Sequence, residues 1–559
     1  MRVVIPGSPP RTFTQPSQVL RADTADQVHE ALAIAERALA DGKYCAGYLS
    51  YELGAVFASL PVRQQRKLPL LALGIYAAPD QHLPIVIEDD FALGTLRPRI
   101  ERHAYDAALR AIANAIYDGD VYQVNYTVPF DFAFSGDPYA LFCALLRTSG
   151  VSNAAYVEDT NMALVSLSPE LFLSLEGAAV RTMPMKGTSP PGHAHDLTTP
   201  KNRAEHLMIV DLLRNDLHRV CNSVEVPALY TLEKYPTFET MTSTIAGTLR
   251  PDFTLSKLLA AVFPCGSITG APKRAAMQVI ESLEPHARDA YTGSIGYMGP
   301  DGTGRWNVAI RTLQLDTSVA RGRLDIGGGI VADSQPQNEW DEILIKSRFV
   351  ARYARPFELI ETFLCGTPQL HLHLQRLGIS AKHFDIPFDA RAVGLQVERL
   401  GQLDATLVRL SLQWDGQVGL ETRPYQSTLL PVRICLSAKP VSSSDPLLAF
   451  KTSWRSAYDR AFAYAQERGC FDVVFCNERA ELTEGSRTSL FVESNGKLFT
   501  PPLHCGVLPG ILRQTLLEQG RAREKVLYEE DLLESDGVYV GNAARGLLRA
   551  EFVKELSGV

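Results

Sequence analysis

Apolar residues between positions 101 and 353 switch repeatedly between helical and strand spacing, and this switching restricts the fold more than any other sequence feature. Helical spacing covers residues 101–118, 200–217, 272–283 and 338–353. Strand patterns cover residues 122–128, 160–175 and 326–331, and residues 293–315 resemble one hairpin. Because no regular strand–helix–strand repeat connects them, the sequence predicts an α+β fold with antiparallel sheets.

The sequence predicts a junction between two domains at residues 348–356. Beyond them lies a second mixed segment, with a helix at 454–468, strands over 472–498 and a helix after Pro509. A chain of 559 residues that is 46% hydrophobic can bury two sizeable cores. The sequence therefore predicts domains at residues 1–353 and 354–559.

Charge and cysteine content narrow the class of protein. A net charge of −8 without a dense Lys/Arg run argues against nucleic-acid binding. The first ten residues predict no signal peptide, and no apolar run is long enough to span a membrane. The nine cysteines include no Cys-x-x-Cys pair. We expect a cytoplasmic enzyme with reduced thiols and no membrane partner.

Lys186 stands between a methionine and a Gly-Thr pair, in unusual surroundings for a solvated charge. Burial disfavours the ammonium form of a lysine, so such a residue can act as an amine nucleophile. The alternative is a lysine at a strand end that extends to water. The turn-rich residues 188–200 that follow predict a mobile loop over a site.

Four carboxylates form a second candidate group. Glu205 lies in the helix 200–217, and Glu339 and Glu342 lie one turn apart with Lys346 one turn further on. Glu170 follows a Ser-Pro pair. Carboxylates from separate helices, without His or Cys, are typical ligands of Mg²⁺. The alternative for the residues 339–346 is an exposed ion-pair face.

Eight motifs in order carry a family resemblance over roughly residues 40–350. They start at residues 122 (YQVN), 166 (SLSPE), 185 (MKGT), 204 (AEHLMIVDLLRND), 266 (GSITGAPK), 291 (YTGSIG), 309 (AIRT) and 327 (GGGIVADS, continuing to Lys346). This order resembles the chorismate-utilising enzymes, which include anthranilate, aminodeoxychorismate, isochorismate and salicylate synthases. The resemblance implies an anthranilate synthase component I-like domain with antiparallel sheets.

The resemblance also implies residue roles. Glu205 and Glu342, with Glu339 near, would hold Mg²⁺ against the ring carboxylate of chorismate. Arg311 and Tyr291 would bind the enolpyruvyl carboxylate, and Glu170 would act as general acid or base at the ring hydroxyl. The pocket would be completed by Thr269, Lys346 and the backbone at Gly187, Gly327 and Gly329.

Two positions distinguish members of this family. Relatives that activate water carry a lysine where this chain has Gln123, and anthranilate synthases have Pro-x-Ala-Gly-Thr where this chain has Lys186. The lysine is typical of aminodeoxychorismate synthase component I, in which it would form a covalent intermediate during 4-amination. The chain departs from the family at Thr240, where histidine is frequent, and at Asn202, where an acidic residue is frequent.

No segment resembles the glutaminase motif Gly-x-Cys-x-Gly. We therefore expect a separate glutamine amidotransferase subunit to supply ammonia, or free ammonium to be used.

Residues 355–559 resemble the fold-type IV pyridoxal phosphate enzymes, which include aminodeoxychorismate lyase and D-amino acid aminotransferase. The motifs start at residues 357 (FELIET), 373 (HLQRL), 451 (KT), 482 (LTEGSRTSLF), 508 (LPGILR) and 541 (GNAARG). The resemblance implies that Lys451 forms the Schiff base and Glu484 contacts the pyridine nitrogen. Arg376 and the amides of Gly510 and Ile511 would bind the phosphate.

This half departs from its family at Leu512, Ala543 and Ser489. Together the halves predict synthesis of 4-aminobenzoate, a folate precursor, with a homodimer formed through the second half. Two alternatives stay open. One is an anthranilate-type synthase fused to a true aminotransferase, and the other is a C-terminal half that only docks the glutaminase.

Overall fold

The computed structural model describes residues 1–84, 91–189, 191–193, 197–236, 238–401, 403 and 405–554. Internal contacts divide the chain into two compact units, Met1–Thr317 with Arg321–Ala354, and Ser318–Ala320 with Arg355–Val559. Of the loop expected at residues 188–200, positions 190 and 194–196 lie outside the described residues. All nine cysteines are free thiols. Among the described residues, no helix is both long and apolar enough to cross a bilayer.

The first unit contains helices α1–α8 and strands β1–β20. The helices are α1 Ala25–Ala40, α2 Leu53–Phe57, α3 Arg102–Tyr117, α4 Pro138–Ser149, α5 Pro200–His218, α6 Leu255–Val262, α7 Lys273–Leu283 and α8 Pro336–Ala351. The strands are β1 Arg2–Ile5, β2 Arg11–Phe13, β3 Gln18–Ala22, β4 Tyr44–Leu49, β5 Leu71–Tyr76, β6 Phe91–Leu93, β7 Arg97–Pro98, β8 Gln123–Gly136, β9 Ala155–Asp159, β10 Met162–Ser166, β11 Leu171–Glu176, β12 Ala179–Met183, β13 Met185–Ser189, β14 Cys221–Lys234, β15 Glu239–Leu249, β16 Gly270–Ala271, β17 Ser294–Met298, β18 Gly304–Asn307, β19 Thr312–Asp316 and β20 Arg321–Ile330.

Within the described residues these strands form two large antiparallel sheets. One has the order β16-β8-β20-β19-β10-β9-β1-β2, with β6 and β7 also on β8. The other has the order β13-β15-β12-β11-β18-β17-β4-β5-β3, with β14 also on β15. This arrangement confirms the predicted α+β class with antiparallel sheets.

Alternating side chains show that the two sheets face each other and that helices cover their outer faces. In β4, Ala46 and Tyr48 belong to a core shared with β1, β9 and β10 of the other sheet. Cys45 and Leu49, on the opposite face of β4, pack in a core that includes residues of α1 and α6. Successive strand residues point to opposite faces, so the layers run helix, sheet, sheet, helix.

The hairpin predicted over residues 293–315 is shorter than expected. Strands β17 and β18 form it and end at Asn307, whereas β19 belongs to the opposite sheet. Between them Arg311 has a left-handed φ of 49°, which redirects the chain. Because a side chain in that region is disfavoured by sterics, the apolar pattern alone gives no sign of the turn.

The second unit contains helices α9–α13 and strands β21–β31. The helices are α9 Leu370–His383, α10 Ala390–Glu398, α11 Ser456–Glu467, α12 Ile511–Glu518 and α13 Glu529–Glu534. The strands are β21 Glu358–Leu364, β22 Thr406–Gln413, β23 Val418–Pro424, β24 Val432–Leu436, β25 Asp472–Cys476, β26 Leu482–Gly485, β27 Ser489–Ser494, β28 Lys497–Thr500, β29 Ala522–Glu524, β30 Gly537–Asn542 and β31 Gly546–Phe552.

A small antiparallel sheet, β21-β22-β23, accompanies a larger sheet of order β26-β25-β24-β31-β30-β27-β28-β29. The larger sheet is mixed, because β24 pairs in parallel with both β25 and β31 and β28 pairs in parallel with β29. Its apolar core includes Ile434, Val474 and Val540.

Candidate functional site

A cavity of about 340 Å³ in the first unit collects residues from eight separate segments of the chain. Strand β13 contributes Lys186, α5 contributes Glu205 and α8 contributes Glu339, Glu342 and Lys346. Of the other residues named from the sequence, the lining includes Glu170, Gly187, Tyr291, Arg311, Gly327 and Gly329. These residues span positions 170 to 346, so the fold brings them together.

Two lysines neutralise two of the candidate metal ligands. Lys186 Nζ lies 2.9 Å from Glu205 Oε2, and Lys346 Nζ lies 2.8 Å from Glu342 Oε1. Lys346 also donates to the Gly327 carbonyl at 2.9 Å. Its charge lowers the pKa of Glu342, whereas burial raises the pKa of Glu339. Lys186 is therefore an ion-paired residue and not one held among apolar side chains.

The carboxylates have the donor chemistry that Mg²⁺ prefers, because all three offer oxygen atoms to the same cavity. Within the described ranges, however, no three Asp, Glu, His or Cys side chains are gathered closely enough to hold an ion. Ser334 donates to Glu339 at 2.7 Å, while the lysines hold Glu205 and Glu342. Joint coordination would require the lysine–carboxylate pairs to separate.

Glu170 is a buried carboxyl group in a chain of hydrogen bonds. The Ser267 hydroxyl donates to its Oε1 at 2.6 Å, and Cys265 Sγ lies 3.1 Å from that hydroxyl. Burial raises the pKa of Glu170 to about 7, although Ser267 and the Met185 amide oppose the shift. A carboxyl group with such a pKa can donate a proton near neutral pH.

Arg311 carries a positive charge that no described residue balances by an ion pair. Burial lowers its pKa to about 10, and its guanidinium lies 4.0 Å from the centroid of the Phe238 ring. Its left-handed backbone places the side chain at some conformational cost. A partly buried arginine with no ion-pair partner among the described residues suits an anionic ligand.

Glycine backbone lies close to the side chains around Lys186. A methyl group on Gly329 would lie 2.8 Å from Gln123 Nε2 and 3.5 Å from Lys186 Nζ, so a side chain there would enter the cavity. Thr240 donates a 2.7 Å hydrogen bond to the Gly187 carbonyl. Thr240, which stands where the family frequently has histidine, therefore supports strand β13, which carries Lys186.

Thr269 lies behind the cavity wall. It is fully buried, and its hydroxyl donates to the Cys265 carbonyl at 2.8 Å. Its own carbonyl accepts from the Asn125 amide at 3.0 Å. Of these two partners, Asn125 lines the cavity, whereas Thr269 itself does not.

A second cavity, of about 350 Å³, lies in the second unit. Lys451, Arg376, Glu484, Gly510 and Ile511 all line it. Burial, with the charges of Arg376 and Arg455, lowers the pKa of Lys451 to about 8. Burial also raises the pKa of Glu484 to about 8. The amine and the carboxyl group are thus the kind of pair that fits a cofactor aldehyde and a ring nitrogen.

Arg376 is fixed before any ligand binds. Its Nε and Nη2 donate to the two oxygens of Glu361 at 2.8 and 2.7 Å, and Nη1 donates to the Pro509 carbonyl at 3.0 Å. Although burial raises the pKa of Glu361, Arg376 and His373 lower it to about 2. The sequence contained Glu361 within its motif, but nothing in the pattern revealed this contact.

Helix α12 begins beside this arginine. Gly510 precedes Ile511 without a side-chain cap, which leaves the first amides of the helix for a ligand. A methyl group on Gly510 would lie 2.6 Å from Ser489 Oγ. Three residues at which the chain differs from the fold-type IV family all line the cavity: Ser489, Leu512 and Ala543. The lysine, the arginine and the helix start fit pyridoxal phosphate, with fewer hydroxyl donors to its phosphate than the family resemblance implies.

Comparison with known proteins finds a matching family model for each of the two parts of the sequence. Residues 6–352 match the family model of chorismate binding enzymes, and residues 356–551 match that of class IV amino-transferases. Aminodeoxychorismate synthase component 1 of Escherichia coli (strain K12) is 35% identical over 390 residues, which cover 61% of this chain and 84% of that protein.

Anthranilate synthase component 1 of Saccharolobus solfataricus is 33% identical over 264 residues, covering 45% of this chain and 62% of that protein. The crystal structure of anthranilate synthase component I from Streptococcus pneumoniae TIGR4 aligns with a TM-score of 0.54 at 23% identity. The alignment covers 63% of this chain and 92% of the Streptococcus pneumoniae chain, and this similarity shows a shared fold.

Proposed function

The chain belongs to the chorismate-binding enzyme family, and from this premise we propose that its first unit converts chorismate and ammonia to 4-amino-4-deoxychorismate. The observation that carries the proposal is the Lys186 amine, which lines the same cavity as Glu170, Arg311 and the three carboxylates. An anthranilate-type pocket would need no amine there, since its ammonia adds directly to the ring.

Each of these cavity residues has a separate role in the proposed reaction. The Lys186 amine adds to ring carbon C2 while the C4–oxygen bond breaks, and Glu170 supplies the proton with which the hydroxyl leaves as water. Ammonia then forms a bond to C4 while the C2–nitrogen bond breaks, which regenerates the lysine. Arg311 and Tyr291 hold the enolpyruvyl carboxylate throughout.

Mg²⁺ would be held by Glu205 and Glu342, with Glu339 near, and would neutralise the ring carboxylate of chorismate. Lys346 would remain on the Gly327 carbonyl, which it already contacts. The name component 1 of the Escherichia coli relative supports a separate glutamine amidotransferase as the source of ammonia.

We propose that the second unit removes pyruvate from the aminated product, which yields 4-aminobenzoate for folate synthesis. Class IV amino-transferase domains imply pyridoxal phosphate, and this cofactor supplies an electron sink when bound. Lys451 Nζ would bind it and move the proton, Glu484 would contact its ring nitrogen, and Arg376 with the Ile511 amide would hold its phosphate.

One incubation tests both steps. Purified chain is mixed with chorismate, Mg²⁺ and ammonium, with and without pyridoxal phosphate, and aromatic products and pyruvate are identified. We expect 4-aminobenzoate and pyruvate only when the cofactor is present, and 4-amino-4-deoxychorismate without it. Formation of 2-aminobenzoate would contradict the proposal and favour an anthranilate-type synthase.

A further inference from the structure

The second cavity carries more positive charge than its cofactor can balance. Seven cationic side chains line it: Arg376, Lys451, Arg455, Arg409, Arg423, Arg487 and Arg545. Against them stand Glu484 and Asp459 in the lining, and Glu361 behind Arg376. With all of these groups counted as ionised the surplus is about four charges, and a cofactor phosphate removes about two of them.

Four of these arginines have no acidic partner in the part of the chain that the structure describes. Among the described residues, no carboxylate forms an ion pair with Arg409, Arg423, Arg487 or Arg545. The carboxylate of Asp472 accepts instead from Ser486 at 2.5 Å and from Thr488 at 2.7 Å, and it accepts from the backbone amide of Arg487 at 3.3 Å. Asp472 therefore orders the loop and forms no ion pair with the Arg487 guanidinium.

Two of the four arginines are held in place by neutral groups. Arg545 Nη1 donates to Thr428 Oγ1 at 2.6 Å and to the Gln426 carbonyl at 3.1 Å. The Arg487 guanidinium lies 3.2 Å from the centroid of the Phe462 ring. Preformed cations reduce the ordering cost of binding an anion.

One hydrogen bond joins the loops that carry these two arginines. Asn542 Nδ2 donates to the Arg487 carbonyl at 3.1 Å, and Asn542 Oδ1 accepts from the Arg545 amide at 3.1 Å. Burial, together with the charges of Arg455, Arg423 and Arg545, lowers the pKa of Arg487. Because like charges repel, this cluster is best explained by an anion that binds between them.

We propose that Arg423, Arg487 and Arg545 form a second anion site, separate from the phosphate cradle, which selects substrates with two carboxylates. The remaining surplus of about two charges matches such a dianion. This inference rests on the proposed function of the second unit, whose aminated substrate carries one ring carboxylate and one enolpyruvyl carboxylate. Monocarboxylates would leave part of the cluster unbalanced and bind more weakly.

The test uses the full chain loaded with pyridoxal phosphate. Binding of isophthalate, a dicarboxylate, and of benzoate, its monocarboxylate counterpart, is measured by calorimetry for the wild type, Arg487→Ala, Arg545→Ala and Arg487→Lys. Arg399→Ala, directly after the last residue of α10, is the matched control, since Arg399 is exposed and outside the cavity. Cofactor affinity is measured for each variant by its visible absorbance.

We expect the wild type to prefer isophthalate at least tenfold. Arg487→Ala and Arg545→Ala should each weaken isophthalate binding ten- to hundredfold, while cofactor affinity changes less than threefold. Arg487→Lys should retain part of the isophthalate binding that Arg487→Ala loses. Unchanged isophthalate binding in both alanine variants, or no preference in the wild type, would overturn the inference. Loss of the cofactor itself would assign these arginines to the phosphate cradle and also overturn it.

A separate assay of pyruvate release from 4-amino-4-deoxychorismate tests the proposed function. If the wild type releases no pyruvate but still shows arginine-dependent isophthalate binding, the lyase proposal fails while the anion site stands.

Discussion

The side-chain nitrogen of Lys186 lies 2.9 Å from a carboxylate oxygen of Glu205, and both side chains are less than one-fifth exposed. The proposed nucleophile is therefore paired with a proposed metal ligand. The Glu205 carboxylate holds the lysine nitrogen, so attack on the ring requires that this contact be given up. Binding of Mg²⁺ and of chorismate would both compete for Glu205.

Replacement of the proposed nucleophile should abolish amination at C4. We expect Lys186→Ala to lower the rate of 4-amino-4-deoxychorismate formation on the order of 10³-fold or more, because a covalent route is lost. Chromatography of the product measures this. Lys257→Ala, which changes an exposed lysine, is the control. Undiminished formation of the 4-amino product would exclude an essential covalent role.

Glu170 should limit the stability of the first unit at high pH. Its pKa in the folded state, about 7, lies above the ordinary value of 4.5 because of burial. Its contribution to stability is thus present below pH 4.5 and is lost as the pH rises towards 7, by at most about 3 kcal/mol. We expect Glu170→Gln to raise the melting temperature relative to wild type at pH 8 but not at pH 5. Activity should fall about 10²- to 10⁴-fold. Equal melting differences at both pH values would contradict the assignment.

The Ser267 hydroxyl should set the upper pH limit of amination. It donates to Glu170 and opposes the rise in the pKa of that carboxyl group. Removing the donor in Ser267→Ala should shift the alkaline limb of kcat/KM upward by about one pH unit. Cys265→Ala leaves the hydrogen bond from Ser267 to Glu170 intact, so it should shift the alkaline limb of kcat/KM less. An unmoved limb in Ser267→Ala would show that Glu170 is not the titrating acid.

Arg311 should act mainly in binding chorismate. Loss of a hydrogen-bonded ion pair is worth about 1.5–3 kcal/mol, so we expect Arg311→Ala to raise KM about ten- to hundredfold. Arg311→Lys should recover part of the affinity, because it keeps the charge but loses the planar fork. Steady-state kinetics at fixed ammonium separate KM from kcat. A fall in kcat alone would argue against a role in binding the carboxylate.

Lys451 should be required for the spectrum of the second unit. Titration of the wild type with pyridoxal phosphate should give a visible absorbance that Lys451→Ala does not show. The variant should still make 4-amino-4-deoxychorismate, since Lys451 lies in the other unit. Glu484→Gln serves as a second variant that keeps the amine. Pyruvate release by Lys451→Ala at the wild-type rate would contradict the assignment.

Local patterns allowed part of this structure to be predicted. The helices predicted at 200–217 and 338–353 correspond to α5 and α8, because side-chain spacing and the prolines at both helix starts are local signals. The ion pair between Lys186 and Glu205 was not predictable in this way. It joins a strand to a helix, and it depends on the pairing of β13 with β15.

The hydrogen bonds around Glu170 and Glu361 were also beyond sequence patterns. Ser267 lies 97 residues from Glu170, and Arg376 lies 15 residues from Glu361. Both acids stand in recognisable motifs, but a motif does not state which neighbour will donate to a buried oxygen. Register and turn geometry decide that, as the left-handed Arg311 shows for the end of the expected hairpin.

Continuity of the chain across Ala354 and Arg355, where one compact unit gives way to the other, has a stoichiometric consequence. Every copy of the protein brings one cavity of each kind to the cell, whatever the level of expression. Separately encoded enzymes can drift apart in abundance, so that an intermediate accumulates when the later enzyme is scarce. Here that ratio is fixed by translation itself, and only the turnover of the two cavities can alter the balance between them.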